Sequence, residues 1–187
     1  MRARFILCKI EVVRVDVENY LKKIDYFFIM TDYYDEISEG YEELYKEEQL
    51  KKLEIISKNF KINKNELLLD VGCGIGITTG FWNCRRIGLD PAIKLLKKAK
   101  DNAYVNAEAE HIPFKDKCFD VVISITAIQN FDDIRKGLEE IKRVGKNRFV
   151  LSFLKKSSKR NKIEKIIHEF FKVQKVIEED KDLIFIV

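Results

Sequence analysis

Asp70-Val-Gly72-Cys73-Gly74-Ile-Gly76 is the segment of this chain with the clearest capacity for chemistry. Three glycines in alternation let a backbone turn sharply and approach a ligand with no β-carbon in the way. They follow Leu67-Leu68-Leu69-Asp70-Val71, an apolar run suited to a strand buried on both faces. A crevice opens at the carboxyl ends of such strands, so a nucleotide-like ligand is expected there. The alternative is a glycine turn with a structural duty only. Dinucleotide folds space their glycines Gly-x-Gly-x-x-Gly, with a pyrophosphate at the following helix N-terminus. Here Ile77 stands where the third of those glycines would be. Asp70 would sit awkwardly beside a pyrophosphate, but it could accept a hydrogen bond from an ammonium, directly or through water. The expected ligand is therefore cationic near this loop and lacks a diphosphate.

The elements that must hold this loop alternate along the chain. Tyr41, Tyr45, Leu53, Ile56 and Phe60 recur at helical spacing and predict an amphipathic helix over Tyr41–Asn59. Strands are expected at Leu67–Val71, Arg86–Leu89, Ala103–Val105, Phe119–Ile125 and Phe149–Phe153. Helices are expected from Pro91 through Lys100, from Asp132 to Val144 and over Asn161–Phe170, and Pro91 suits a first turn because its missing N–H costs nothing there. Lys172–Ile177 and Leu183–Val187 form a terminal strand pair across a Glu179–Asp182 turn. Strands separated by helices give an α/β fold with a mostly parallel, doubly wound sheet and helices on both faces. Residues 1–30 fit poorly. Either Met30 is the true initiator, or Phe5–Val15 and Val17–Phe28 add a strand and a helix to a domain spanning 31–187.

With 46% hydrophobic and 35% charged residues, 8 glycines and 2 prolines, the chain of 187 residues is globular, which excludes disordered and collagen-like readings. No apolar run approaches the ~20 residues that cross a bilayer, and Lys9 and Glu11 break the first one before secretory length. Cys8, Cys73, Cys84 and Cys118 are too scattered for a Cys-x-x-Cys zinc site, so a reduced, cytoplasmic setting is expected, with no metal. Lys155, Lys156, Lys159, Arg160 and Lys162 follow the fifth strand and put positive charge on the ligand side, which suits a phosphate backbone or another anion. The bland reading is a solvated loop.

On these motifs the sequence resembles the class I S-adenosylmethionine-dependent methyltransferases, from about Tyr33 onward. The resemblance implies their seven-stranded Rossmann-like sheet, S-adenosylmethionine as cofactor, and an enzyme. Arg86-Ile-Gly-Leu-Asp90-Pro91 looks like the family's second-strand end, whose acid holds both ribose hydroxyls, which assigns that role to Asp90. Ala107-Glu108-Ala109-Glu110-His111-Ile112-Pro113-Phe114 is similar to the adenine-binding segment. By that likeness Glu108 accepts from the adenine amino group and the Ala109 N–H reaches the ring, with glutamate where the family usually has aspartate. Phe119 to Asn130 resembles the fourth strand and the loop lining the methyl donor, which brings in Ser124 and Ile125. Glycine-loop contacts come from Asp70, Gly72, Cys73, Gly74 and Gly76.

Departures from the family narrow the chemistry. Only residues 77 to 89 separate Gly76 from Asp90, so the intervening helix must be short or distorted. No Asn/Asp-Pro-Pro-Tyr/Phe motif and no Pro-Cys pair is present, which argues against methylation of adenine amines and of cytosine C5. Thr126, Gln129 and Asn130 are positioning candidates for the acceptor, although Gln129-Asn130 could instead cap the next helix. Tyr33, Tyr34 or Tyr41 could form a lid, with helix packing the plainer reading for Tyr41. Structured RNA is the acceptor the basic loop favours, and some spacing is similar to RNA-modifying members that work with a small zinc-binding activator. Quinone-biosynthesis and other small-molecule members share the Ala-Glu-x-Ile-Pro-Phe motif equally. Other classes stay open: a nucleotide-binding module without turnover, and an NAD-dependent oxidoreductase.

Overall fold

The structure is a computed structural model that describes residues 39–99 and 103–187, with side chains of the first helix from Lys46 onward. The N-terminal extension, the Met30 question, Tyr33, Tyr34 and the side chain of Tyr41 lie outside the described residues. So does the predicted continuation of a helix to Lys100.

Seven strands form one sheet in the order β3-β2-β1-β4-β5-β7-β6. They are β1 (Leu67–Val71), β2 (Arg85–Asp90), β3 (Ala103–Asn106), β4 (Val121–Ser124), β5 (Phe149–Leu154), β6 (Lys175–Glu178) and β7 (Asp182–Ile186). The first five run parallel, and β7 inserts antiparallel between β5 and β6. Successive side chains of a strand face opposite sides. In β1 this sends Leu69 and Val71 into one core, with α4 (Ile134–Val144) and α5 (Arg160–Phe170), and Leu68 into the other, with α1 (Glu39–Asn59). Because both faces are covered, the parallel strands read as unbroken apolar runs rather than alternating ones.

The α1 helix buries Leu53 and Ile56, and Phe60 just beyond its end, in one cluster with Leu68, Val121, Ile123 and Val150. Two short helices follow β1 and β2, α2 (Ile77–Phe81), whose Phe81 packs on the α1 side, and α3 (Ile93–Lys98). The α4 helix starts where Asp133 caps it, the carboxylate accepting from the N–H groups of Arg135 and Lys136 at 3.0 and 3.2 Å.

Boundaries move where side chains take over backbone partners. The strand expected from Phe119 to Ile125 contracts to Val121–Ser124. Phe119 makes only an isolated bridge to Gly145, and the Asp120 carboxylate accepts from the Leu67 N–H at 2.9 Å. Pro91 does not open α3. The Asp90 carboxylate accepts from the Ala92 N–H at 2.8 Å, Ala92 is held extended, and the helix begins at Ile93. It ends at Lys98, with Ala99 extended.

Candidate functional site

All three glycines of the loop after β1 adopt left-handed conformations, with φ of 78°, 55° and 82° at Gly72, Gly74 and Gly76. L-residues avoid that region, so the glycines are a conformational requirement here. The loop is tied to β2: Gly72 N and Cys73 N donate to the Leu89 carbonyl at 2.8 and 3.1 Å, and Gly74 N donates to Asp90 Oδ2 at 2.8 Å. A Cβ on Gly72 would overlap the Cβ of Ala127, and one on Gly76 would strike the Tyr104 hydroxyl. One on Gly74 would meet nothing within 4 Å. The loop therefore packs against β3 on one side and the segment after β4 on another, and opens at Gly74. Tyr104, which the sequence did not single out, also covers Gly88, where a Cβ would come within 2.7 Å of its ring. The expected short helix is α2, five residues long.

Two buried carboxylates lie beside this loop. Asp70 is fully buried, and its Oδ2 accepts from the hydroxyls of Thr78 and of Thr79, the latter at 2.7 Å. Its Oδ1 has no hydrogen-bond partner among the described residues. Burial pushes the Asp70 carboxyl up to about 6, against the opposing pull of the two threonine hydroxyls. Asp90 is 7% exposed and accepts from Gly74 N and Ala92 N through different oxygens, each of which keeps a second lone pair. Burial raises its pKa as well.

A raised carboxyl pKa makes the neutral form the one the fold prefers. The stability Asp70 contributes is full below about pH 4 and is lost as pH rises through about 6, where ionisation of the buried group costs about 3 kcal/mol. Asp70→Asn is therefore expected to stabilise the cofactor-free chain by about 1–3 kcal/mol at pH 7.5 and to change little near pH 4. Urea unfolding at the two pH values checks this. An equal effect at both would mean that the carboxyl is not perturbed.

Beyond β3, Glu108 precedes a 3-10 turn, Ala109–His111, and pairs with the His111 ring at 3.3 Å. Ala109 is buried. Glu110, which drew no role from the sequence, is 7% exposed and accepts from Asp133 N at 2.9 Å, fixing this turn to the start of α4. Pro91 lies between Asp90 and the start of α3, and its carbonyl accepts from the Asn106 side chain at 2.7 Å. Cys73 is buried in the loop, its thiol pKa raised by burial, which makes it a poor nucleophile.

The segment after β4 meets Gly72 from the other side. Ser124 is fully buried and its hydroxyl has no partner among the described residues; Ile125 is buried beside it. Thr126 has a φ of 58°, an outlier for a β-branched residue. Gln129 Nε2 donates to the Thr126 carbonyl at 2.7 Å, and Gln129 Oε1 is buried without a partner among the described residues. Gln129-Asn130 ends a 3-10 turn and does not cap α4, since Asp133 does. Asn130 is exposed.

The basic loop is largely committed within the chain. Lys159 donates to the carbonyls of Gln129 and Phe131 at 2.9 and 3.5 Å, Lys155 pairs with Glu178 at 3.3 Å, and Arg160 pairs with Glu164 at 2.8 Å. Lys156 and Lys162 are exposed with no ion pair among the described residues. Of the five basic residues, which the sequence left open between an anion-binding loop and a solvated one, two thus carry no ion pair among the described residues, while acids on α5 and β6 and the carbonyls ending the 3-10 turn partner the other three. Among the described residues no His/Cys/Asp/Glu group could hold a metal, and no helix is long and apolar enough to cross a membrane.

The methyltransferase domain family matches residues 69–153, which span the glycine loop, Asp90, Glu108 and the segment after β4. Malonyl-[acyl-carrier protein] O-methyltransferase of Hamiltonella defensa is 38% identical over 97 residues, covering 48% of this chain and 38% of that protein. A SAM dependent methyltransferase from Aquifex aeolicus has the same fold, with a TM-score of 0.61 at 19% identity over 71% of this chain and 87% of that one. A solved complex between the Haloferax volcanii Trm112 methyltransferase activator and a methyltransferase aligns at a TM-score of 0.56 and 20% identity, over 62% of this chain and 57% of that one. The chain spans about half or less of the length of the curated relatives it matches first. Over residues 69–153 the chain is thus similar to the methyltransferase domain family, and its strand order, left-handed glycine loop and two buried acids lie within or beside that matched segment.

Proposed function

We propose that this chain transfers the methyl group of S-adenosylmethionine to an N–H or O–H nucleophile presented at the loop after β4. The observation that carries the reading is Asp70 Oδ1, a buried carboxylate oxygen with no partner among the described residues, beside a glycine loop that opens at Gly74. A ligand ammonium satisfies both features, since it would supply the missing donor and favour the ionised carboxylate. Asp90 accepts the two ribose hydroxyls through its remaining lone pairs. Glu108 and the Ala109 N–H face the adenine, with Glu108 dividing its carboxylate between the base and His111. Gly72, Cys73, Gly76, Pro91, Ser124 and Ile125 line the remaining path.

When bound, the cofactor supplies a methyl on a positively charged sulfur, open to in-line attack. The protein's own task is to align the nucleophile, and proximity and orientation are large enough effects to carry most of such a reaction. Gln129 is suited to this. Its Nε2 is held by the Thr126 carbonyl, so Oε1 is the atom left to accept from an N–H or O–H and turn the nucleophile's lone pair toward the methyl. Thr126 sets that geometry and Asn130 is placed to meet a larger acceptor.

The acceptor proposed first is a small or carrier-bound molecule with a hydroxyl, such as a phenol, because Lys155, Lys159 and Arg160 have partners within the chain and one matched relative bears the name of an O-methyltransferase of a carrier-bound substrate. Structured RNA is the second reading, supported by exposed Lys156 and Lys162, and a small zinc-binding activator is the partner that would accompany it. Transfer of labelled methyl into a cell extract, fractionated into RNA, protein and organic-soluble pools, separates the two. In the RNA case Lys156→Ala with Lys162→Ala is expected to lower the salt slope of RNA binding by about 2. Unchanged transfer into the organic or protein pool by the same variant supports the first reading, and label in none of the pools contradicts both.

A further inference from the structure

Beneath the acceptor loop lies a buried charged cluster that the reading above leaves unused. Lys52 of α1 and Asp182 of β7 are both without exposed surface and pair at 3.1 Å between Nζ and Oδ2. The same Oδ2 accepts from the Ser152 hydroxyl at 2.8 Å and from the Thr126 hydroxyl at 2.7 Å. Lys52 Nζ also donates to Thr126 Oγ1 at 2.7 Å, and Thr126 N donates to Ser152 Oγ at 2.8 Å. Every hydrogen bond in the cluster ends on, or one step from, Thr126, whose backbone is left-handed at φ 58°. A β-branched residue adopts that conformation only where its surroundings over-determine it, and such strain gathers at functional positions. Lys52, Ser152 and Asp182 are buried, Thr126 is partly exposed, and its carbonyl fixes Gln129.

We infer that the buried Lys52–Asp182 pair, with Ser152, is a positioning device that locks Thr126 in its left-handed turn and so aims Gln129 at the acceptor. Three elements distant in sequence, α1, β5 and β7, thereby act on the loop after β4 without touching the substrate. The inference rests on the proposed function for its consequence in catalysis, but its physical content can be read without cofactor or acceptor.

The test uses the full chain with Lys52→Met/Asp182→Asn, which removes both charges together and so avoids stranding one of them in the interior. Backbone hydrogen exchange at residues 126–130 is expected to quicken about tenfold or more, with exchange in β1 and α4 unchanged, and S-adenosylmethionine affinity by calorimetry is expected to stay within about threefold. In the labelled-transfer assay kcat should fall at least tenfold with the KM for S-adenosylmethionine unchanged. Should the double variant fail to fold, Thr126→Val keeps the ion pair and removes only the hydroxyl, with the same local effect expected, while Thr126→Ser should retain protection. Uniformly faster exchange across the chain, or none at 126–130, overturns the inference. A wild-type chain that does not bind S-adenosylmethionine defeats the proposed function instead, and leaves the exchange comparison readable.

Discussion

Gly72→Ala is expected to destabilise the chain by about 3 kcal/mol and to abolish measurable cofactor binding. Two costs combine. The left-handed φ of 78° costs an L-residue about 1–2 kcal/mol, and the new methyl overlaps the Cβ of Ala127, an overpacking of about 1–3 kcal/mol. Relief of the clash would push the glycine loop and the β4 loop apart, and the proposed methyl donor lies between them. A double-mutant cycle separates the costs: Ala127→Gly in the Gly72→Ala background should recover about 1–3 kcal/mol and leave the conformational cost in place. Urea unfolding of the four proteins gives the coupling. Full stability in Gly72→Ala alone would show that the two loops are not in contact.

Asp90→Ala carries the second large effect, and it falls on binding. The carboxylate accepts from Gly74 N and Ala92 N, so it shapes the glycine loop and the entry to α3 before any ligand arrives. The two further charged hydrogen bonds proposed to ribose hydroxyls, at about 1.5–3 kcal/mol each, set the expected loss at roughly 100-fold or more in affinity for S-adenosylmethionine. Asp90→Asn keeps one acceptor oxygen and should fall between the two. Calorimetric titration checks the order wild type, Asn, Ala. Wild-type affinity in Asp90→Ala would displace the ribose from this acid.

The glycine loop, β1 and Asp90 were legible because their signals are local. An apolar run buried on both faces, an acid at its end and glycines at left-handed positions can all be read within a few residues. The shortness of α2 followed from counting between Gly76 and Asp90. What misled was capture of backbone groups by side chains: Asp120 shortened β4, and Asp90 delayed α3 past Pro91. Charge was the harder property. Lys52 reads as an ordinary surface residue of an amphipathic helix, yet it is fully buried, because partners 74 residues away at Thr126 and further on at Asp182 receive it. Lys159 reads as a free cation for the same reason in reverse, although it donates to carbonyls at the end of a distant 3-10 turn. Tyr104 gave no signal, since packing over a glycine loop is a property of the β2–β3 register, Gly88 against Tyr104.

The central claim is that the loop opening at Gly74, between Asp70 and Asp90, is the cofactor site. Calorimetric titration of the full chain with S-adenosylmethionine, and separately with NAD, at pH 7.5 and pH 5.5 tests it most directly. The account predicts binding of S-adenosylmethionine alone, weaker at pH 5.5, where Asp70, with its pKa near 6, is largely protonated and offers less charge to an ammonium. Binding of NAD in preference, or S-adenosylmethionine affinity that survives both Asp70→Asn and Asp90→Ala, would contradict it.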